Sequence, residues 1–327
     1  VEELYVKAKK ELDKAKKILI ISHRKPDADT LGSAIALKIM LERQGKDVDL
    51  ACFDSVSPVF MFLPRVNEFV SEFDLKEYDL MVVVDAGASY MTDFHLKYGN
   101  IFDAGIPVIN IDHHASNDNY GTINIVDAKA ASVTLMLYRM FKIWNEEIDK
   151  EMAICLLAGI YNDTGSFMHA NTSQEAYDVA ADLMSKGAKI AEMNRLLFKT
   201  RPVSTLRLWG RVLSNIQVTD DDVVMSVVRG DDYDLADAGP DQLSGVIDYI
   251  NMVPDVKFSV LINEDRKGNV KGSFRTKNDD VDLSKIAGEF GGGGHPKASG
   301  FSVAGKLKEE KQYKILSDDL SKKSLDF

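Results

Sequence analysis

The sequence predicts an α/β fold in two parts: an N-terminal domain with a parallel sheet and helices on both faces, and a smaller α/β domain joined to it by a helical connector. Three observations carry this expectation. The first half alternates short apolar runs with amphipathic stretches, the pattern of parallel strands covered by helices. The chain's 327 residues, 45% of them hydrophobic, can furnish a core for each of two domains. Between residues 190 and 216 two helical stretches are broken at Pro202, which neither continues a helix nor resembles a disordered linker.

In chain order, Glu2 to Lys17 reads as a charged helix. Strands are expected at Lys17 to Ser22, Val48 to Phe53, Leu80 to Asp85 and Val108 to Asp112. Between the first two, Leu31 to Arg43 suits a mostly buried helix ending at Gly45. Further helices follow at Ser132 to Trp144, Lys150 to Asp163 and Ser173 to Gly187. The first domain is expected at residues 1–188, the connector at 189–216 and the second domain at 217–327. In that last part strands are expected at Val223 to Arg229, Val256 to Asn263 and Val270 to Thr276, helices at Asp241 to Asn251 and Leu283 to Phe290, and a last strand at Ala298 to Val303.

Composition narrows the function. The formal charge is −11, from 51 acidic and 40 basic residues, so the far field repels polyanions and a long duplex gains little from counterion release. A small phosphorylated substrate is not excluded, because bound cations dominate the field inside a cleft. With no apolar run of eighteen residues and no signal peptide at its start, the expectation is a soluble, cytoplasmic protein with no membrane partner. Cys52 and Cys155 lie in apolar segments and read as core residues, not as a disulfide.

The chemistry-bearing residues gather where the strands end. His23, Asp27 and Asp29 follow the first strand in SHRKPDADTLGS, Asp85 ends the third in VVVDAG, and Asp112, His113 and His114 end the fourth in NIDHHASND. Carboxyl ends of parallel strands are where open α/β sheets build their sites. A lone Asp at a strand end is more often a turn former or helix cap, and Asp85 or Asp163 taken alone would read that way. The His-x3-Asp-x-Asp cluster and the two adjacent histidines are much harder to assign to caps. If the loop after the first strand is locally extended, Asp27 and Asp29 face one cleft. Oxygen and imidazole ligands without thiolate suit Mn²⁺, Mg²⁺ or similar ions, and several carboxylates can hold two such cations that share and activate a water. Asp163, in AGIYNDTGSF, can complete such a shell.

The second domain carries EFGGGGHPKASG. Gly291 suits a helix cap, whereas Gly292, Gly293 and Gly294 read as a cradle whose backbone N–H groups approach a phosphate, with His295 and Lys297 as further donors. Arg275 is a candidate phosphate clamp, since its planar fork pairs two oxygens. There is no Gly-Lys-Ser/Thr ending of a P-loop.

In these blocks the sequence resembles the DHH phosphoesterase superfamily with its associated DHHA1 domain: HRKPDADTLGS, VVVDAG, DHHASNDNYG, AGIYNDTGSF, GSFRT and GGGGHPKASG occur in that order, from about Ile18 to Val303. The compact two-domain layout is most similar to members that act as oligoribonucleases on nanoRNA and as phosphatases of 3′-phosphoadenosine-5′-phosphate (pAp). The resemblance implies one cation held by His23, Asp27 and Asp85 and another by Asp29, Asp85, His113 and Asp163, with Asp85 bridging. It further implies that Asp112 orients an imidazole, that His114 contacts the scissile phosphate, and that Arg275, His295 and the glycine segment hold the nucleotide. The implied cofactor is two divalent cations, Mn²⁺ foremost, with Mg²⁺ or Co²⁺ as alternatives. The implied partners are short RNA, a dinucleotide or pAp, and relatives of this kind pair into homodimers. Lys25 departs from the pattern where relatives often carry Asn; this touches local polar contacts and no ligand.

Other readings stand beside this one. Family II pyrophosphatases bring a Ser-Arg-Lys-Lys motif that the sequence lacks, and RecJ-type exonucleases are normally longer. Phosphodiesterases of cyclic or linear dinucleotides are the nearest alternative. A non-catalytic nucleotide sensor is disfavoured because every implied ligand is of the right type.

Overall fold

The computed structural model describes residues 2–197, 201–308, 312–317 and 320–326. Phe198 to Thr200, within the stretch expected to be helical before Pro202, lie outside them. The chain divides into two compact units at residues 200 and 201.

The first unit runs α1 (Glu2–Lys14), β1 (Lys17–Ser22), α2 (Ala28–Arg43), β2 (Asp47–Ala51), β3 (Phe69–Val70), β4 (Leu80–Val84), α3 (His95–Tyr98), β5 (Val108–Asp112), β6 (Ile123–Val126), α4 (Val133–Ile143), α5 (Lys150–Asp163), α6 (Gln174–Ser185) and α7 (Ile190–Leu197). Its six strands form one parallel sheet in the order β3-β2-β1-β4-β5-β6. β1, β4 and β5 are almost unbroken apolar runs because both faces of a parallel sheet are covered. Alternate residues serve opposite faces: Ile18, Ile20, Val82 and Ile109 enter the larger core with α1, α2 and α4 to α7, while Leu19, Ile21, Met81 and Val83 enter a smaller one with Phe94 and Ile101. Both faces thus carry helical cover, but the second carries α3 and 3-10 turns such as Ile101–Asp103 in place of long helices.

The order of the strands reverses between β1 and β4. Chain segments leaving those two neighbours diverge, which opens a crevice at their carboxyl ends. Into it α2 runs as a fully buried helix from Ala28 to Leu41, stopped at Gly45 in a left-handed conformation (φ 78°). α2 lies against α5 with almost no side-chain layer between them at Gly32, where a Cβ would come 2.4 Å from the Cys155 carbonyl oxygen. Cys52 and Cys155 are buried free thiols. Among the described residues no helix is long and apolar enough to cross a membrane.

The second unit runs α8 (Val203–Ser214), β7 (Gln217–Val218), β8 (Val223–Val228), α9 (Gly230–Ala236), α10 (Val246–Ile250), β9 (Phe258–Glu264), β10 (Asn269–Arg275), α11 (Leu283–Glu289), β11 (Gly293–His295), β12 (Ala298–Ala304), β13 (Gln312–Ser317) and β14 (Leu320–Asp326). A mixed sheet orders as β11-β12-β10-β9-β8-β7, with β8 and β9 parallel and the other pairs antiparallel. Of the two helices expected in the connector, α7 contributes Met193 and Leu197 to the first core and α8 contributes Leu208 and Val212 to the second.

Two expectations about this unit are corrected. The helix expected over Asp241 to Asn251 is split into a 3-10 turn (Pro240–Leu243) and α10, because Gly245 takes φ 90° between them. The strand at Ala298 is not the last: β13 and β14 pair in a separate antiparallel sheet. β14, LSKKSLD, lacks the apolar alternation by which strands are read.

Candidate active site

The ends of three neighbouring strands and two helices converge at the crevice. His23 follows β1, Asp85 follows β4, and Asp112 ends β5 with His113 and His114 after it; Asp27 and Asp29 open α2, and Asp163 closes α5. His23 Nε2 lies 3.3 Å from Asp85 Oδ2 and 3.9 Å from Asp27 Oδ1. His113 Nε2 lies 3.3 Å from Asp163 Oδ2 and 3.6 Å from Asp85 Oδ1. The two oxygens of Asp85 therefore face two different imidazoles. The donor atoms of His23, Asp27 and Asp85 lie within 4.8 Å of one another, and so do those of Asp29, His113 and Asp163.

Both imidazoles present Nε2 to the carboxylates. His23 Nδ1 is 2.6 Å from the Arg24 carbonyl and His113 Nδ1 is 3.2 Å from the Ala130 carbonyl. A carbonyl only accepts, so each Nδ1 carries a proton, which leaves Nε2 as the nitrogen that faces the carboxylates. Asp85 is buried, takes the left-handed φ of 58°, and its Oδ1 has no hydrogen-bond partner among the described residues. Leaving such an oxygen unsatisfied costs about 1–3 kcal/mol. Burial, then the charges of Asp29 and Asp27, push the Asp85 carboxyl well above the usual carboxylate range, and burial, then Asp29, Asp27 and Asp85, do the same to Asp163. Carboxylates crowded with imidazoles in a buried crevice, with no thiolate among them, fit divalent cations as partners that offset their mutual repulsion.

His114 is held differently. Its Nδ1 donates to Asp112 Oδ1 at 2.8 Å, and Asn117 Nδ2 donates to the other Asp112 oxygen at 2.6 Å. The Asp112 hydrogen bond, working against burial and aided by Asp85, raises the His114 pKa to about 9. An Asp85, His113 and His114 triad is also within ligand distance, but an Nδ1 committed to Asp112 is a donor and not a ligand.

The loop before α2 is not extended as the reading of Asp27 and Asp29 required. Asp27 is the helix N-cap, its Oδ1 accepting from the Asp29 and Thr30 amides, and Asp29 lies in the first helical turn. The helical turn sends the two carboxylates into different clusters, Asp27 beside His23 and Asp29 beside His113. At Lys25 the backbone takes φ 49° and its amide donates to Asp54, a conformation Asn adopts more readily than Lys.

The family model of the DHH N-terminal domain matches residues 17–160 and that of the DHHA1 domain matches residues 221–322. The bifunctional oligoribonuclease and PAP phosphatase NrnA of Thermus thermophilus is 32% identical over 294 residues, covering 88% of this chain and 84% of that protein. The chain belongs to the DHH family. Among solved structures, an exopolyphosphatase-related protein from Bacteroides fragilis matches with a TM-score of 0.86 and 26% identity, over 94% of this chain and 93% of that one. The Thermus thermophilus RecJ structure in complex with Mn²⁺ shares the fold, with a TM-score of 0.51 and 16% identity over 92% of this chain and 51% of that one.

Several residues that support this DHH site were not among those expected. Asn117 links Asp112 to the buried Asn110, which in turn contacts Tyr120 Oη and the Ala86 carbonyl. Asn110, a polar residue inside an apolar strand, was the available signal. Thr134 donates its hydroxyl to Asp29 Oδ1 at 2.6 Å, and the bare Cα of Gly159 faces that pair. A glycine within an apolar helix costs about 1 kcal/mol relative to alanine, which marks a packing demand. His169 Nδ1 donates to the Asp163 carbonyl at 3.2 Å.

In the second unit the register pairs Arg275 with Ala298 and Ala298 with His295, so these side chains share one face across β10, β12 and β11. Arg275 is tied to Asp248 at 3.2 Å, and Lys297 to Asp279 at 2.8 Å. Most of the glycine segment has a packing reason. Gly291 is the left-handed residue of a Schellman cap, with the Gly292 amide donating to the Ala287 carbonyl. A Cβ on Gly292 or Gly294 would lie 2.2 or 2.7 Å from backbone carbonyls of β12. Only Gly293 has open space around it and no left-handed φ.

Proposed function

We propose that the chain is a two-metal phosphoesterase that hydrolyses very short oligoribonucleotides, pAp, or both, to mononucleotides. The observation that carries this reading is Asp85, whose two carboxylate oxygens face separate imidazole and carboxylate clusters. The name of the 32% identical relative, an oligoribonuclease and PAP phosphatase, supports the substrate class.

In this reading His23, Asp27 and Asp85 hold one divalent cation and Asp29, Asp85, His113 and Asp163 hold the other. Such cations, Mn²⁺ foremost and Mg²⁺ or Co²⁺ as alternatives, supply positive charge that offsets a phosphoryl group and acidifies water. Asp112 holds the His114 ring through Nδ1, so that Nε2–H is presented to an oxygen of the scissile phosphate. Arg275, His295 and the glycine segment at Gly293 and Gly294 bind the nucleotide, the Gly292 amide being taken by the Ala287 carbonyl. With a net charge of −11, a long duplex is not a substrate.

Replacing Arg275 or His295 by Ala raises KM about tenfold, the loss of one charge-assisted hydrogen bond, with a smaller fall in kcat. Steady-state kinetics on pApA measure this, and an unaltered KM in both variants removes those residues from substrate binding. The function itself is tested by a hydrolysis screen with Mn²⁺, Mg²⁺ and Co²⁺ against pAp, pApA, pGpG, two- to five-residue RNA, cyclic di-AMP and pyrophosphate. Metal-dependent turnover of pAp, pApA or short RNA is expected. Preference for cyclic di-AMP or pGpG favours a dinucleotide phosphodiesterase, and binding without turnover favours a sensor.

A further inference from the structure

We infer that the short segment at residues 130–134, together with Asn171, is a single backing that positions Asp29, His113 and Asp163 and therefore sets the affinity of one cation independently of the other. The inference rests on the two-cation reading above. Each of these three residues is anchored to the same stretch of chain. The Ala130 carbonyl accepts from His113 Nδ1 at 3.2 Å, which fixes that ring's tautomer and direction. One residue on, the Ala131 carbonyl accepts from Asn171 Nδ2 at 3.2 Å, and the same amide nitrogen donates to the Asp163 carbonyl at 3.2 Å.

At the start of α4 the Val133 amide donates to Asp29 Oδ2 at 2.7 Å, and the Thr134 amide donates to Asp29 Oδ1 at 2.9 Å. Thr134 Oγ1 adds a third donor at 2.6 Å to the same oxygen, and Ser132 Oγ sits 2.8 Å behind it. The Thr134 proton is committed to the carboxylate, so Ser132 donates to Thr134.

The other cluster has no such common support. His23 is fixed by the carbonyl of its own neighbour Arg24, and Asp27 by the first amides of α2. Asp85 is common to both clusters, its Oδ2 facing His23 and its Oδ1 facing His113. Partners that orient metal ligands carry about 10–100-fold in metal affinity. Here one segment exerts that leverage on Asp29, His113 and Asp163 together, which makes Thr134 and Asn171 positioning residues for a single ion. Asn171 is solvent-exposed and touches the cluster only through main-chain carbonyls, so its removal perturbs position without altering a ligand.

The test is a Mn²⁺ titration of the metal-free full chain, with calorimetry for affinity and equilibrium dialysis for stoichiometry. Two ions are expected for the wild type. Asn171→Ala and Thr134→Val are each expected to weaken one ion about 10–100-fold and leave the other unchanged. Thr134→Ser, which keeps the hydroxyl, restores wild-type binding of both. Should Thr134→Val fail to fold, Asn171→Ala decides alone. Equal weakening of both ions, or no change in either variant, overturns the inference while leaving the two-cation reading in place. A wild type that binds fewer than two ions overturns that reading instead.

Discussion

Asp85→Asn abolishes hydrolysis, with a loss of about 10³-fold or more, and at the same time makes the metal-free protein more stable. Asn keeps the shape of the side chain and tolerates the left-handed φ of 58° that most residues resist. It cannot serve two cations as a carboxylate does, and losing several kcal/mol of charge stabilisation corresponds to at least three decades in rate. The gain in stability comes from the same change. In the folded chain Asp85 is buried, its Oδ1 lacks a donor among the described residues, and after burial the charges of Asp29 and Asp27 do most to raise its pKa. A carboxyl with a folded pKa above its unfolded value costs stability at every pH above the unfolded value, so the cost is present at neutral pH. Asn is spared that cost and offers an N–H to His113 Nε2, which lies 3.6 Å from Asp85 Oδ1. Adding Mn²⁺ stabilises the wild type by mass action far more than the variant. Thermal unfolding is therefore expected to rank the variant above the wild type without metal and below it with metal. A variant with wild-type turnover, or one less stable than wild type without metal, contradicts the account.

Gly159→Ala lowers kcat/KM about 100-fold with only a modest loss of stability. A Cβ at this position would lie 2.4 Å from Thr134 Oγ1 and 2.5 Å from Asp29 Oδ1, both parts of short, buried side chains. Either α5 leans away, carrying Asp163 with it, or Asp29 turns off its Thr134 anchor. Misplacement of a reacting group by about 1 Å costs about 10²-fold in rate. Overpacking costs about 1–3 kcal/mol, of which the better helix propensity of alanine offsets up to about 1. Kinetics and thermal unfolding measured side by side check this, and full activity in Gly159→Ala shows that the contact between α5 and Asp29 does not matter.

The sequence was most legible where one physical demand acted alone. β1, β4 and β5 are covered on both faces, so their apolar runs admit no other reading, and the chemistry at their ends follows from parallel topology. It was least legible where one residue serves two demands. Asp27 caps α2 and also faces His23, so a reading that set cap against ligand had no way to hold both. Gly292 and Gly294 let β11 lie directly against β12, a long-range contact that a run of glycines does not announce. Thr134 acts through Asp29, more than a hundred residues away, a partner that only the folded chain brings near, whereas Asn117 acts through Asp112, a near neighbour in the sequence. β3, β6, β7 and β11 span four residues or fewer, too short for a period to emerge.

The most direct measurement is anomalous diffraction at the manganese edge from crystals of the full chain soaked in Mn²⁺. Two peaks are expected beside Asp85, one bonded to His23 Nε2 and the other to His113 Nε2. A single peak, or peaks away from Asp85, contradicts the assignment of that carboxylate as the bridge.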